Sequence, residues 1–177
     1  MHIHDCDDKP ATLLLSDEAA TLALGAGLTS SLGGRDLKLV VTLKGDLGAG
    51  KTTLVRGLLR ALGHGGPVKS PTYNLVELYV VSGLNLYHFD FYRFNQPEEY
   101  LDAGLDEYFS GRGIRLIEWP EKAAPYLPPA DLEISLAVAA DGRIARLASG
   151  TDEGFQCLTN LISRFPVATS SSSPPPA

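Results

Sequence analysis

Short apolar runs alternate with amphipathic stretches along this chain, and glycine and proline separate them. Residues 37–43 form a short run rich in Val and Leu, suited to a buried strand. Before it, Ala20, Leu22, Ala23, Leu24 and Leu28 follow a helical pattern. Ser16 is the expected N-cap there, with Asp17 and Glu18 in the first turn and Gly33-Gly34 as the stop. After the run, Leu54, Leu58 and Leu62 share one helical face while Arg56 and Arg60 point elsewhere. Gly63 ends that pattern, and Gly65-Gly66-Pro67 prevents its continuation.

Residues 75–81 and 84–90 read as strands separated only by Ser82-Gly83, which predicts a hairpin. An acidic helix is expected over residues 97–109, with Pro97 in its first turn. Gly113 precedes a strand at 114–118 that ends on an acid, then one helical turn at 120–124 and a break at Pro128-Pro129. Residues 131–139 and 143–149 form a second predicted hairpin, turning at 140–142. A last helix is expected over 151–165, weakened at its start by Gly154. Strand–helix units mixed with hairpins predict an α/β fold with a mixed sheet.

The 177 residues allow one sizeable domain, expected at 11–165. Residues 1–10 read as a flexible, solvated terminus, a plainer account of His2, His4, Asp5 and Cys6 than a metal site. The Ser/Pro-rich stretch 166–177 reads as a disordered tail. With 15 basic against 21 acidic residues and a net charge of -6, no overall basic field attracts nucleic acid. Any RNA is then held mostly by a partner. Two cysteines, Cys6 and Cys157, make no disulfide framework, and no apolar run nears the roughly 20 residues that span a bilayer. A cytoplasmic protein without a membrane partner is the expectation.

Gly45-Asp46-Leu47-Gly48-Ala49-Gly50-Lys51-Thr52 fits G-x-x-x-x-G-K-[ST] in full, with an apolar strand before it and a helix after it. The glycines allow backbone N–H groups to converge on phosphate oxygens, and the helix start at residues 50–53, Thr53 included, adds unpaired donors. Lys51 is expected to reach the β- and γ-phosphates of ATP, and Thr52 to offer a hydroxyl to Mg²⁺. Phosphoryl transfer also needs an acid for the metal and a group that orients water. Asp90 and Glu118 each end a predicted strand and are candidates; spacing leaves open which is nearer the metal. Thr72, in Lys69-Ser70-Pro71-Thr72-Tyr73, could bring a hydroxyl from a switch loop, with a plain turn as the alternative. Trp119 could line the base pocket or simply be half-buried, and His88 reads as a packed histidine. The guanine-reading Asn-Lys-x-Asp is absent, and the nine arginines are scattered rather than gathered in a kinase-like lid.

Four blocks in order resemble the bacterial TsaE (YjeE) family: residues 45–53, 68–73, 87–93 and 116–121. The resemblance covers roughly residues 11–149. It implies a P-loop NTPase-like, three-layer α/β/α fold with a mixed, partly antiparallel sheet. It also implies slow hydrolysis of Mg·ATP and association with the TsaB–TsaD heterodimer, which transfers threonylcarbamoyl to adenosine 37 of tRNA. By matching position, Lys51 and Thr52 serve phosphate and metal, Thr72 the switch loop, Asp90 hydrolysis and Glu118 the metal, with Trp119 near the nucleotide. Phe91 departs from the family's usual leucine. The alternatives are a nucleotide-gated binding module without meaningful hydrolysis and a small-molecule kinase.

Overall fold

β2 (Lys38–Lys44) runs through the middle of a seven-stranded sheet of order β1-β7-β6-β2-β5-β4-β3. The computed structural model describes residues 10–32 and 37–165. Its strands are β1 (Ala11–Leu15), β2, β3 (Val76–Val81), β4 (Leu84–Asp90), β5 (Gly113–Glu118), β6 (Leu132–Ala139) and β7 (Gly142–Ser149). β6, β2, β5 and β4 are mutually parallel neighbours; β3 closes one edge and β7 with β1 the other, all antiparallel. The parallel centre is buried on both faces, which is why β2 and β5 read as near-continuous apolar runs.

Alternation along β2 divides the core. Leu39, Val41 and Leu43 face α1 (Glu18–Gly27), α2 (Lys51–Ala61) and α4 (Asp152–Ile162). Val40 faces the other layer, with Phe89, Ile117, Tyr100 and Phe109. That layer is built from α3 (Glu99–Asp102) and two short 3-10 segments, Leu105–Phe109 and Pro120–Lys122. The molecule is thus a three-layer α/β/α fold with a mixed sheet, as expected.

α1 and α2 approach backbone to backbone. A Cβ on Gly25 would overlap the Leu54 carbonyl oxygen, and one on Gly57 would overlap that of Leu22. This contact brings Thr21 of α1 beside Gly50, at the start of the P-loop helix.

Several expectations are corrected. The cap of α1 is Asp17, whose carboxylate accepts from the Ala20 N–H at 2.8 Å, rather than Ser16. The helix ends at Gly27 and tightens into a 3-10 turn; Gly33-Gly34 lie outside the described residues, as do most of the predicted flexible N-terminus and the whole tail. The acidic helix over 97–109 breaks at Gly104, which takes a left-handed φ of 65°. Arg115 holds the second fragment in place. Fully buried, its guanidinium donates to the carbonyls of Tyr108, Gly111 and Gly113. β1 was not expected at all.

Gly154 does not weaken α4. Its N–H donates to the Thr151 cap hydroxyl at 3.1 Å, and its missing side chain makes room for the Asp131 carbonyl.

Candidate functional site

β2, β5 and β4 are adjacent and parallel, so their carboxyl ends share one edge of the sheet. Ligands bind beyond such edges in open α/β sheets. The P-loop leaves β2 there, Glu118 closes β5 and Asp90 closes β4; Asp90 and Glu118 are register partners. One cleft results. Leu47, Gly48, Gly50, Lys51, Thr52, Thr53, Thr72, Asp90, Glu118 and Trp119 line it, joined by Ser70, Tyr92 and Arg143.

Lys51 is buried and turned back on its own loop. Its ammonium donates to the carbonyls of Gly45 at 2.5 Å and Asp46 at 2.8 Å, and lies 4.4 Å from the centre of the Trp119 ring. Burial pulls its pKa below the ordinary lysine value, while Glu118 and Asp90 pull the other way. Asp46 and Ala49 do not line the cleft. Asp46 supplies the carbonyl that holds Lys51 and the Ala49 N–H, and the Ala49 side chain is in the core.

Thr52 Oγ1 donates to Glu118 Oε1 at 2.8 Å. A hydroxyl and a carboxylate at the foot of a P-loop are hard oxygen donors, the type that Mg²⁺ prefers. Among the described residues no group of three or more His, Cys, Asp or Glu could hold a metal by itself.

Asp90 is buried and satisfied by the loop expected to act as a switch. Its Oδ2 accepts from Ser70 Oγ and from Thr72 Oγ1, the latter at 3.4 Å, and its Oδ1 accepts from the Tyr92 N–H at 2.8 Å. Arg93 sits outside this cluster, stacked 4.0 Å over the Tyr73 ring.

Two of the three non-glycine residues with left-handed backbone among those described bear on the cleft: Trp119, φ 57°, lines it, and Leu75, φ 66°, accepts the Asp90 amide on its carbonyl. Each such conformation costs about 1–3 kcal/mol and persists only where the surroundings impose it. At Trp119 it turns the indole back over Lys51, directly after Glu118.

Sequence reasoning missed Ser70 and Tyr92, which bond Asp90, and two more residues, Arg143 and His88. Arg143, the second residue of β7, lies 95 residues from Gly48 and donates to the Gly48 carbonyl at 3.2 Å; its buried Nε has no partner among the described residues. No local pattern announces it. His88 is packed as expected, yet its Nε2 lies 2.9 Å from Glu118 Oε1. Its position two residues before Asp90 on a strand was the available signal, since i and i+2 share a face.

A strand–P-loop–helix unit with two strand-end acids on the same edge defines the P-loop NTPase-like class. The structure superposes on the crystal structure of Bacillus subtilis YdiB with a TM-score of 0.72, at 30% identity, covering 88% of this chain and 96% of that one. The family model described as threonylcarbamoyl adenosine biosynthesis protein TsaE matches residues 15–146, and the chain belongs to that family. A tRNA threonylcarbamoyladenosine biosynthesis protein TsaE of Haemophilus influenzae is 48% identical over 127 residues, covering 72% of this chain and 78% of that one. Its Bacillus subtilis namesake is 39% identical over 125 residues, covering 71% and 78%.

Proposed function

We propose that the chain binds Mg·ATP in this cleft and hydrolyses it to serve tRNA threonylcarbamoyladenosine synthesis, acting on the TsaB–TsaD heterodimer. One observation carries the reading: the P-loop Lys51 and Thr52 meet Asp90 and Glu118 in a single cleft. The relatives' names point to the pathway. The net charge of -6 favours contact with tRNA through protein partners rather than directly.

Backbone amides of residues 47–53 receive the phosphates. The Lys51 ammonium exchanges the carbonyls of Gly45 and Asp46 for the β- and γ-phosphate oxygens. Thr52 and Glu118 hold Mg²⁺, which neutralises charge on those oxygens when bound. Arg143, whose guanidinium already reaches the P-loop at the Gly48 carbonyl, turns to the same phosphates. Trp119 walls the nucleotide side. Asp90 accepts a hydrogen bond from the attacking water and orients it. Ser70 and Thr72 fix that carboxylate, so loop order and hydrolytic competence are linked.

The test is multi-cycle modification of tRNA by the reconstituted TsaB–TsaD complex with this protein. ATP is expected to support many cycles, and a non-hydrolysable analogue or the Asp90→Ala variant only the first. Many cycles with the analogue would overturn hydrolysis. They would favour a nucleotide-gated binding module instead, a reading that the Ser70 and Thr72 bonds to Asp90 also accommodate.

A further inference from the structure

His88 is completely buried on β4 and lines no part of the cleft. On the same face of the sheet it packs between Leu86 on its own strand and Leu116 opposite it on β5, both fully buried, while the exposed Glu77 is its register partner on β3 and Asp90 follows two residues on. An aliphatic side chain would fill such a place without leaving a polar atom stranded, yet His88 Nδ1 is buried there with no partner among the described residues. The polar contact the ring does make is Nε2 with Glu118 Oε1, at 2.9 Å. That same oxygen accepts the Thr52 hydroxyl at 2.8 Å.

We propose that His88 is a positioning residue for the metal site, its Nε2–H holding the Glu118 carboxylate in the rotamer that faces Thr52. The inference rests on the Mg·nucleotide reading above. A carboxylate can only accept, so Nε2 must carry the proton. The two donors reach Oε1 from different elements, α2 and β4, and pin it in two directions. Oε2 takes part in neither bond. A carboxylate held by one hydroxyl alone could rotate away; one anchored from beneath by an imidazole stays aimed. His88 does not touch nucleotide, so it acts only through Glu118.

Outer partners of this kind change metal affinity by about 10–100-fold when removed. The test measures binding of Mn²⁺, as a paramagnetic probe, to the ADP-loaded protein, alongside ADP affinity without metal. His88→Leu is expected to weaken Mn²⁺ about 10–100-fold while leaving metal-free ADP binding unchanged. His88→Gln, which returns an N–H donor at the same reach, is expected to recover most of the loss. An unmoved Mn²⁺ affinity in His88→Leu, beside a normal wild-type response, overturns the role of His88 alone. A wild type that binds ADP with no response to metal overturns the metal assignment and His88 with it. Should the leucine variant fail to fold, side-chain ¹⁵N shifts of wild-type His88 decide. The Nε2–H form supports the proposal, and a proton on Nδ1 alone overturns it.

Discussion

Thr52 and Glu118 are 66 residues apart in the chain and joined by a 2.8 Å hydrogen bond. The bond ties the first turn of α2 to the carboxyl end of β5. It exists because β2 and β5 are parallel neighbours, so the loop and helix leaving β2 lie against the residue that ends β5. The P-loop therefore reaches its acid through sheet order, and the cleft inherits the rigidity of the parallel centre.

Lys51→Ala removes the ammonium at the proposed phosphate site. A charged hydrogen bond contributes about 1.5–3 kcal/mol, so Kd for Mg·ADP is expected to rise roughly ten- to hundredfold. Calorimetry reads this directly, and an unchanged Kd would remove Lys51 from phosphate binding.

Asp90→Ala keeps every P-loop group and deletes the carboxylate held by Ser70, Thr72 and the Tyr92 amide. ATP binding is expected to persist while phosphate release falls to background. Equal turnover in wild type and variant would exclude Asp90 from hydrolysis.

Arg143→Ala deletes a guanidinium that reaches the P-loop from the far end of the chain. If it contacts phosphate, ATP affinity falls by the roughly tenfold or more of a charge-assisted bond. A role confined to bracing the loop at Gly48 would instead lower the thermal midpoint and leave affinity intact. Paired calorimetry and melting separate the two.

Tyr100 packs among Phe91 and Phe109, and burial pushes its phenol up to about 12, with Asp106 adding in the same direction. The unfolded chain gives up this proton near pH ~10, before the folded one does. Stability is therefore intact below about pH 10 and declines as pH rises towards about 12, because deprotonation favours the unfolded state. Urea midpoints across this window are expected to fall less in Tyr100→Phe than in wild type.

Gly154→Ala sets two effects against each other. Helix propensity alone predicts a gain of about 1 kcal/mol. The new Cβ, however, would overlap the Asp131 carbonyl, and overpacking costs typically about 1–3 kcal/mol. Asp131 cannot move freely, since its carboxylate also holds the Val40 amide and the Thr151 hydroxyl. A net loss of stability is expected in urea titration, with nucleotide affinity unchanged.

The local signals in this chain are strong where one stretch carries its own chemistry. The P-loop, its flanking strand and helix, both hairpins and the two strand-end acids are legible because each depends on residues a few positions apart. β1 went unread although its pattern is present: Leu13 and Leu15 are buried and Leu14 is 62% exposed. A five-residue edge strand has meaning only beside β7, far along the chain. The long acidic helix was expected from composition, whereas Gly104 and the buried Arg115 decided its break.

By itself, then, the amino-acid order determined the P-loop, the α/β class and the candidate residues for chemistry. Only the tertiary structure decided which of them meet. It brought Arg143 to Gly48, set His88 beneath Glu118 and closed Ser70 and Thr72 onto Asp90. The reason is physical: periodicity reports which face a side chain takes on its own element, while neighbours across a sheet are set by strand order and register.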